Sequence, residues 1–195
     1  EQDLPPESRE YVSALEHQAE KLRFLIDALV KTSRLESGVL AMTPKRHGIQ
    51  QLLDAASAQA APGAEAKAIT LTVEPTDLTA RFDPKWTAEA LYNLVDNAVK
   101  YTPAGGAVTL RAVGYELFCR VDVTDTGPGI PESEQARIFQ RFYRSPSASE
   151  AEGVGIGLYL ARQIAAGQGG YLKVSSRPGE GSTFSLFLPR AEERT

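Results

Sequence analysis

Three features of the sequence predict an α+β protein: a two-layer α/β sandwich preceded by one long bundle-forming helix. Residues 7–36 carry an apolar stripe at helical spacing, residues 84–101 carry a second and better-specified helix, and six short alternating segments are set off by turn residues. Helices interleaved with mostly antiparallel strands bury their apolar faces best as one sheet covered by one helical layer.

In the first helix Tyr11, Leu15, Gln18, Leu22, Leu25, Leu29 and Thr32 recur alternately every four and three residues. A second row at Val12, Ala19, Ile26 and Ser33 widens the stripe beyond a two-stranded seam, which suits a four-helix bundle. The expected partner helix precedes Glu1 in a longer parent, with Leu4-Pro5-Pro6 ending its turn, and the pair is expected to meet a second copy. Ser37-Gly38 closes the helix, placing a domain boundary near residue 40, with units 1–39 and 40–195.

Gly48 to Ala61 reads as a helix with Ile49, Leu52, Leu53 and Ala56 inward, broken by Ala-Pro-Gly-Ala. Strands follow at 69–73 and 78–82. Asp83-Pro84 is an N-cap with proline at the first helical position, and Leu91, Leu94, Val95 and Ala98 form the core face of the next helix. Beside them Asn93, Asn97, Lys100 and Tyr101 share a second stripe. Amide oxygens suit a hard cation such as Mg²⁺, an ammonium suits phosphate and an aromatic ring can cover a base, although the stripe alone is equally a solvated polar face. Pro103-Ala104-Gly105-Gly106 turns into a hairpin of strands 107–113 and 116–124. A polar, helix-rich stretch, a helix over 156–166 and a strand pair at 171–176 and 182–188 complete the chain.

A net charge of −4 and a pI near 5.3 leave no basic footprint for nucleic acid or an anionic membrane. The single cysteine, Cys119, falls in an alternating apolar run and is expected to be an unpaired strand residue in a reducing compartment. No apolar run reaches membrane-spanning length, and the polar start is not a signal peptide.

Asp125-Thr126-Gly127-Pro128-Gly129-Ile130 follows a strand directly. A carboxylate there can accept the exocyclic amine of adenine, and equally can cap a plain turn. Gly153-Val154-Gly155-Ile156-Gly157-Leu158 bares amides immediately before a helix, as phosphate sites do. The spacing G-x-G-x-G after a polar segment excludes a dinucleotide fold, and the absence of H-R-D and D-F-G excludes a protein-kinase loop.

Taken in order, N-L-V-D-N-A-V-K-Y (93–101), D-T-G-P-G-I (125–130), F-Q-R-F-Y-R (139–144), G-V-G-I-G-L (153–158) and G-S-T-F (181–184) resemble the N, G1, F, G2 and G3 boxes of sensor histidine kinases. The stretch L-V-K-T-S-R-L-E-S-G resembles the end of that family's second dimerisation-hairpin helix. The resemblance implies the Bergerat-type ATP-binding fold shared with gyrase, with ATP and Mg as ligands. Asn97 would ligate Mg, Asn93 would lie close to the phosphates and metal, Lys100 would reach phosphate and Tyr101 would pack near the nucleoside. Asp125 would hold the adenine amine, Gly127, Gly129 and Ile130 would line the base pocket, and Thr183 would support it from the sheet. Tyr143 and Arg144 would lie over the nucleotide, residues 131–152 would form a mobile lid, and Gly153, Gly155, Gly157 and Leu158 would close on the phosphates.

The implied reaction is transfer of the γ-phosphate to a histidine and onward to the aspartate of a response-regulator receiver domain. Gyrase-type ATPases carry a glutamate where this chain has Asn93, an amide that cannot act as a base. Neither His17 nor His47 has the family's acceptor context, so the acceptor is expected outside this chain and the isolated chain is not expected to phosphorylate itself. The domain is expected to be cytoplasmic, in a homodimeric parent anchored in the inner membrane through upstream segments. A serine kinase or anti-sigma switch of the same fold, or a non-catalytic nucleotide-binding interaction module, are the alternatives.

Overall fold

A computed structural model describes residues 5–36, 41–145 and 154–190. Contacts divide the chain into units meeting between Leu40 and Ala41. The first is one helix, α1 (Pro6–Glu36). Most of its stripe is uncovered: Tyr11, Leu15 and Leu22 are 73%, 68% and 58% exposed, and Ile26 and Leu29 are exposed as well, while Thr32 at the far end is buried.

The second unit runs β1 (Lys45–Gly48), α2 (Ile49–Ala66), β2 (Thr70–Val73), β3 (Thr79–Phe82), α3 (Pro84–Tyr101), β4 (Ala107–Gly114), β5 (Phe118–Asp125), α4 (Glu132–Gln135), a 3-10 turn (Arg137–Phe139), α5 (Gly157–Gly167), β6 (Tyr171–Arg177) and β7 (Gly181–Pro189). A five-stranded sheet in the order β2-β4-β5-β7-β6 is antiparallel except for the parallel β2–β4 pair, and β1 pairs with β3 separately. Val108, Leu110, Val121, Val123, Phe184, Leu186 and Leu188 are buried on one side of the sheet. Leu53, Leu91, Leu94, Val95, Ala161 and Ile164 are buried from the helical side, completing the expected two-layer sandwich.

The start of α3 is the most constrained point. Asp83 accepts hydrogen bonds from the amides of Lys85 (3.1 Å) and Trp86 (3.2 Å) through one oxygen, and from the amide of Thr43 (3.0 Å) through the other. Its own amide donates to the buried Gln168 side chain, which also donates to Thr87 Oγ1 (3.0 Å) and the Ile164 carbonyl (3.2 Å). One network therefore joins the beginning of α3 to the end of α5. At the other end of α3, Lys67 Nζ caps the carbonyls of Val99 (2.9 Å) and Lys100 (2.8 Å).

Two expectations need correction, and one strand was not anticipated from the sequence. Helix α2 does not break at Pro62-Gly63 but continues to Ala66, because Ala56, Ala60 and Ala64 prolong the inward stripe along α3. Continuous burial of that face outweighs the local propensity cost. The segment before α2 is strand β1, too short and polar to show alternation, held by pairing with β3. The polar stretch after β5 is sparsely helical among the described residues, with only α4 and the 3-10 turn. Among the described residues no helix is long and apolar enough to cross a membrane.

Helix α2 ends with Ala68 at φ 52°, where the amides of Ala68 and Ile69 bond the carbonyls of Glu65 (3.0 Å) and Ala64 (2.8 Å). This is the left-handed position that favours glycine. Ala68→Gly should stabilise the protein by on the order of 1 kcal/mol, read from the urea midpoint; a lower midpoint would contradict it. Asp83 supplies an acid-side prediction. Partial burial opposes its ionisation, yet hydrogen bonds from Thr43, Trp86 and Lys85 prevail and hold its carboxyl below the ordinary 3.8. Its contribution is complete above the unfolded value and is lost as pH falls through the lower folded value. Asp83→Asn should therefore reduce the loss of stability on acidification, measured by denaturation midpoints through the carboxylate range.

Candidate functional site

Asn93 reaches the α5 start, with Asn97 one turn further along the same helix, because α3 turns Leu91, Leu94, Val95 and Ala98 into the core. Each side-chain amide donates to the carbonyl four residues back, Asn93 Nδ2 to Glu89 (3.0 Å) and Asn97 Nδ2 to Asn93 (2.7 Å). With the NH₂ groups so turned, the oxygens are the atoms presented. Asn93 Oδ1 lies only 3.0 Å from where a Cβ on Gly157 would stand, so the first asparagine reaches the first residue of α5.

That helix start has no side-chain cap, in contrast to α3, and its first residue sits beside the Asn93 amide oxygen. An anion on the helix N-terminus would satisfy its amides, and Asn93 and Asn97 would be the residues to hold a hard cation accompanying it. Oxygen donors without a carboxylate cluster suit a hard cation that arrives with phosphate; among the described residues there is no group of three or more His, Cys, Asp or Glu positioned to hold a metal unaided.

Asp125 marks the other end. Its carboxylate is buried and accepts from the Gly127 amide (2.8 Å) and the Ser182 amide. Burial is the dominant effect and raises its pKa, the two amides recovering only part. Tyr101 lies between these groups: a Cβ on Gly127 would be 3.2 Å from its carbonyl. Burial raises the Tyr101 hydroxyl pKa, opposed by the nearby positive charge of Arg144. Lys100 Nζ stands 5.4 Å over the Tyr101 ring. Gly129 (φ 73°) runs so close to the β6–β7 turn that a Cβ would fall 1.9 Å from the Arg177 carbonyl, and Ile130 follows at the rim. Tyr143 is packed by Gly155, whose Cβ would meet its carbonyl at 2.5 Å, and carries the Arg137 guanidinium 4.6 Å over its ring. Leu158 is half-buried in the first turn of α5. Gly153 lies outside the described residues.

Thr183 does not join this group. The register sets it opposite Thr124 on the face away from Asp125, and the two hydroxyls meet at 3.0 Å. Ser182, absent from the sequence reading, shares the face of Asp125. Its phase was available, since it alternates with Phe184, Leu186 and Leu188, which are all buried. His47 is in β1 with its ring 5.3 Å from Phe82, and the side chain of His17 lies outside the described residues. Cys119 is buried and free, its thiol pushed up to about 11 by burial against the opposing charge of Arg190, so it is no thiolate at neutral pH.

Residues 82–192 match the profile of the histidine kinase-, DNA gyrase B- and HSP90-like ATPases. The chain belongs to this family. It is 33% identical over 192 residues to the circadian input-output histidine kinase CikA of Synechococcus elongatus, covering 95% of this chain and 26% of that protein. It is 35% identical over 187 residues to the sensor protein DivL of Caulobacter vibrioides, covering 95% and 24%. The chain thus spans about a quarter of the length of these relatives. Among solved structures it is similar to full-length ShkA in complex with AMPPNP, at TM-score 0.83 and 29% identity over 99% of this chain and 41% of that one. The match is to histidine kinase-type ATPase domains of two-component sensor kinases.

The tightness at Gly129 is testable. Gly129→Ala adds a methyl where a carbonyl already stands and forces alanine to a positive φ, which should cost about 2–5 kcal/mol, measured by chemical denaturation. A loss below 1 kcal/mol would show that this turn yields.

Proposed function

We propose that this chain binds Mg-ATP between α3 and α5 and supplies its γ-phosphoryl group to a histidine of a longer parent, for relay to a response-regulator aspartate. The carrying observation is the pairing of the uncapped α5 start with the Asn93 and Asn97 oxygens. Phosphoryl transfer depends chiefly on positioning and charge neutralisation, and Mg²⁺ shared between the asparagines and the phosphates would supply the latter. Lys100, together with the α5 amides, binds phosphate, and Asp125 selects adenine through its amine. Gly127, Gly129 and Ile130 line the base, Tyr101 flanks it, and Tyr143 and Arg144 lie over the nucleotide. Asn93 holds its own helix carbonyl and has no basic atom for activating water, which favours transfer over hydrolysis.

Residues 1–39 are, on this reading, the second helix of a dimerisation hairpin. The support is the largely uncovered stripe of α1, from Tyr11 to Leu29, a surface that a bundle would bury. The partner helix and acceptor histidine belong to the parent, which acts as a homodimer.

In the parent protein given γ-labelled Mg-ATP, label stable to base and labile to acid is expected. Acid-stable label would indicate a serine acceptor, and free phosphate without labelled protein would indicate an ATPase; either would overturn the assignment. Asn97→Ala in this chain should weaken ATP binding at least about tenfold with Mg²⁺ and change it little in chelator, measured calorimetrically.

Asp125 adds a pH dependence. An adenine amine pairs with the ionised carboxylate, so affinity is full above the pKa of the free protein and falls as pH drops through it. Because that pKa is raised, the fall starts at higher pH than for an ordinary carboxylate. Asp125→Asn should bind about 10- to 100-fold more weakly and lack this component. Protonation of the base itself is common to both proteins and cancels in their ratio.

A further inference from the structure

The segment leaving the Asp125 loop is fastened at one point by a side chain that the nucleotide reading does not use. Gln135, the last residue of α4, directs its Nε2 to two carbonyls from separate segments, Ile130 (3.0 Å) and Ser176 (2.9 Å). The same two residues are tied again, the Ile130 amide donating to Ser176 Oγ (2.8 Å) while that hydroxyl donates to the Gly181 carbonyl (2.8 Å). Gly179 adds a bond from its amide to the Pro128 carbonyl (2.7 Å). Strap 128–131 is thus laced to the ends of β6 and β7, beside Ser182 and Asp125. Among the described residues of this lacing, Gln135 is the one contributed by α4, from its last position.

We propose that Gln135 is a positioning residue for adenine: it fixes the Ile130 wall of the base pocket and anchors α4 to that wall. The inference rests on the nucleotide reading above. A primary amide is required because one nitrogen must offer two protons in two directions. Leucine matches its packing without a donor, and glutamate matches its shape while setting a carboxylate against two carbonyl oxygens. A helix of four residues has no stability of its own, so its position depends on such anchors. Without the anchor the strap keeps the Ser176 bond but loses the tie that sets the Ile130 carbonyl, and the wall loosens while the phosphate end, held by α3 and α5, is untouched.

The test is calorimetric titration of this chain and of Gln135→Leu and Gln135→Glu with adenosine and, separately, with Mg-ATP. Both variants should bind each ligand about tenfold more weakly, by the same factor for the two ligands and at unchanged stoichiometry, since the loss is confined to the base. Affinities within twofold of the unaltered chain would overturn the proposal. So would reduced stoichiometry at unchanged affinity, which marks a folding role, or weakening of Mg-ATP without weakening of adenosine, which marks a phosphate role. If the unaltered chain binds neither ligand, the nucleotide reading itself fails, a result distinct from all of these.

Discussion

The site depends on where α3 begins and how it is rolled. Burial alone would fix the roll, since Leu91, Leu94, Val95 and Ala98 must face inward, but it would leave the helix free to slide along its axis. The Asp83 network removes that freedom. Its carboxylate holds the first turn, its amide is held by Gln168 at the end of α5, and Lys67 closes the far end. A slip of one turn at the same roll would carry Asn93 about 5.4 Å along the axis. Asn93 therefore meets the α5 start with the help of a distant buried carboxylate that is satisfied on both oxygens.

The two helix starts show where stability gives way to binding. Asp83 satisfies α3 fully and is held ionised by its hydrogen bonds, as a stabilising group should be. At α5 the amides are left without a side-chain cap, and at Asp125 a carboxylate is buried so deeply that its charge is disfavoured. Each exception costs folding free energy unless a ligand compensates. On the proposed function an anion would compensate the first, at α5, and an uncharged hydrogen-bond donor the second, at Asp125. Breaches of local rules that share one face and match the two ends of one ligand are more informative than either breach alone.

Legibility followed the range of the interaction responsible. Helix α3 could be read to the residue because its signals, the Asp83-Pro84 start and the apolar spacing, are local. The Pro62-Gly63 break was misread because the force that overrides it, burial of an alanine stripe along α3, is tertiary. Strand β1 carries no pattern because its partner supplies the pairing. Thr183 and Ser182 are adjacent hydroxyls of equal standing in a motif, and only strand phase separates them; Asp125 is on the Ser182 side. Gln135 was illegible for a further reason: its two acceptors lie 5 and 41 residues away, and nothing in a polar stretch marks one amide from another.

The pocket's chemistry also bears on how the labour is divided. It offers amides, a lysine and a buried carboxylate, but no described group near the phosphate end is a ready nucleophile: Cys119 is a sheet residue held as a thiol and His47 packs on Phe82 in another sheet. On the proposed function, a site that neutralises and orients a polyphosphate, with an amide where a base would activate water, would keep the phosphoryl donor intact until an acceptor arrives from outside it. On that same proposal, holding and attack would reside on separate parts of a longer protein, and the rate of transfer would become a question of their encounter. That separation is what a signalling kinase requires, because an upstream element can control the encounter without altering the nucleotide site.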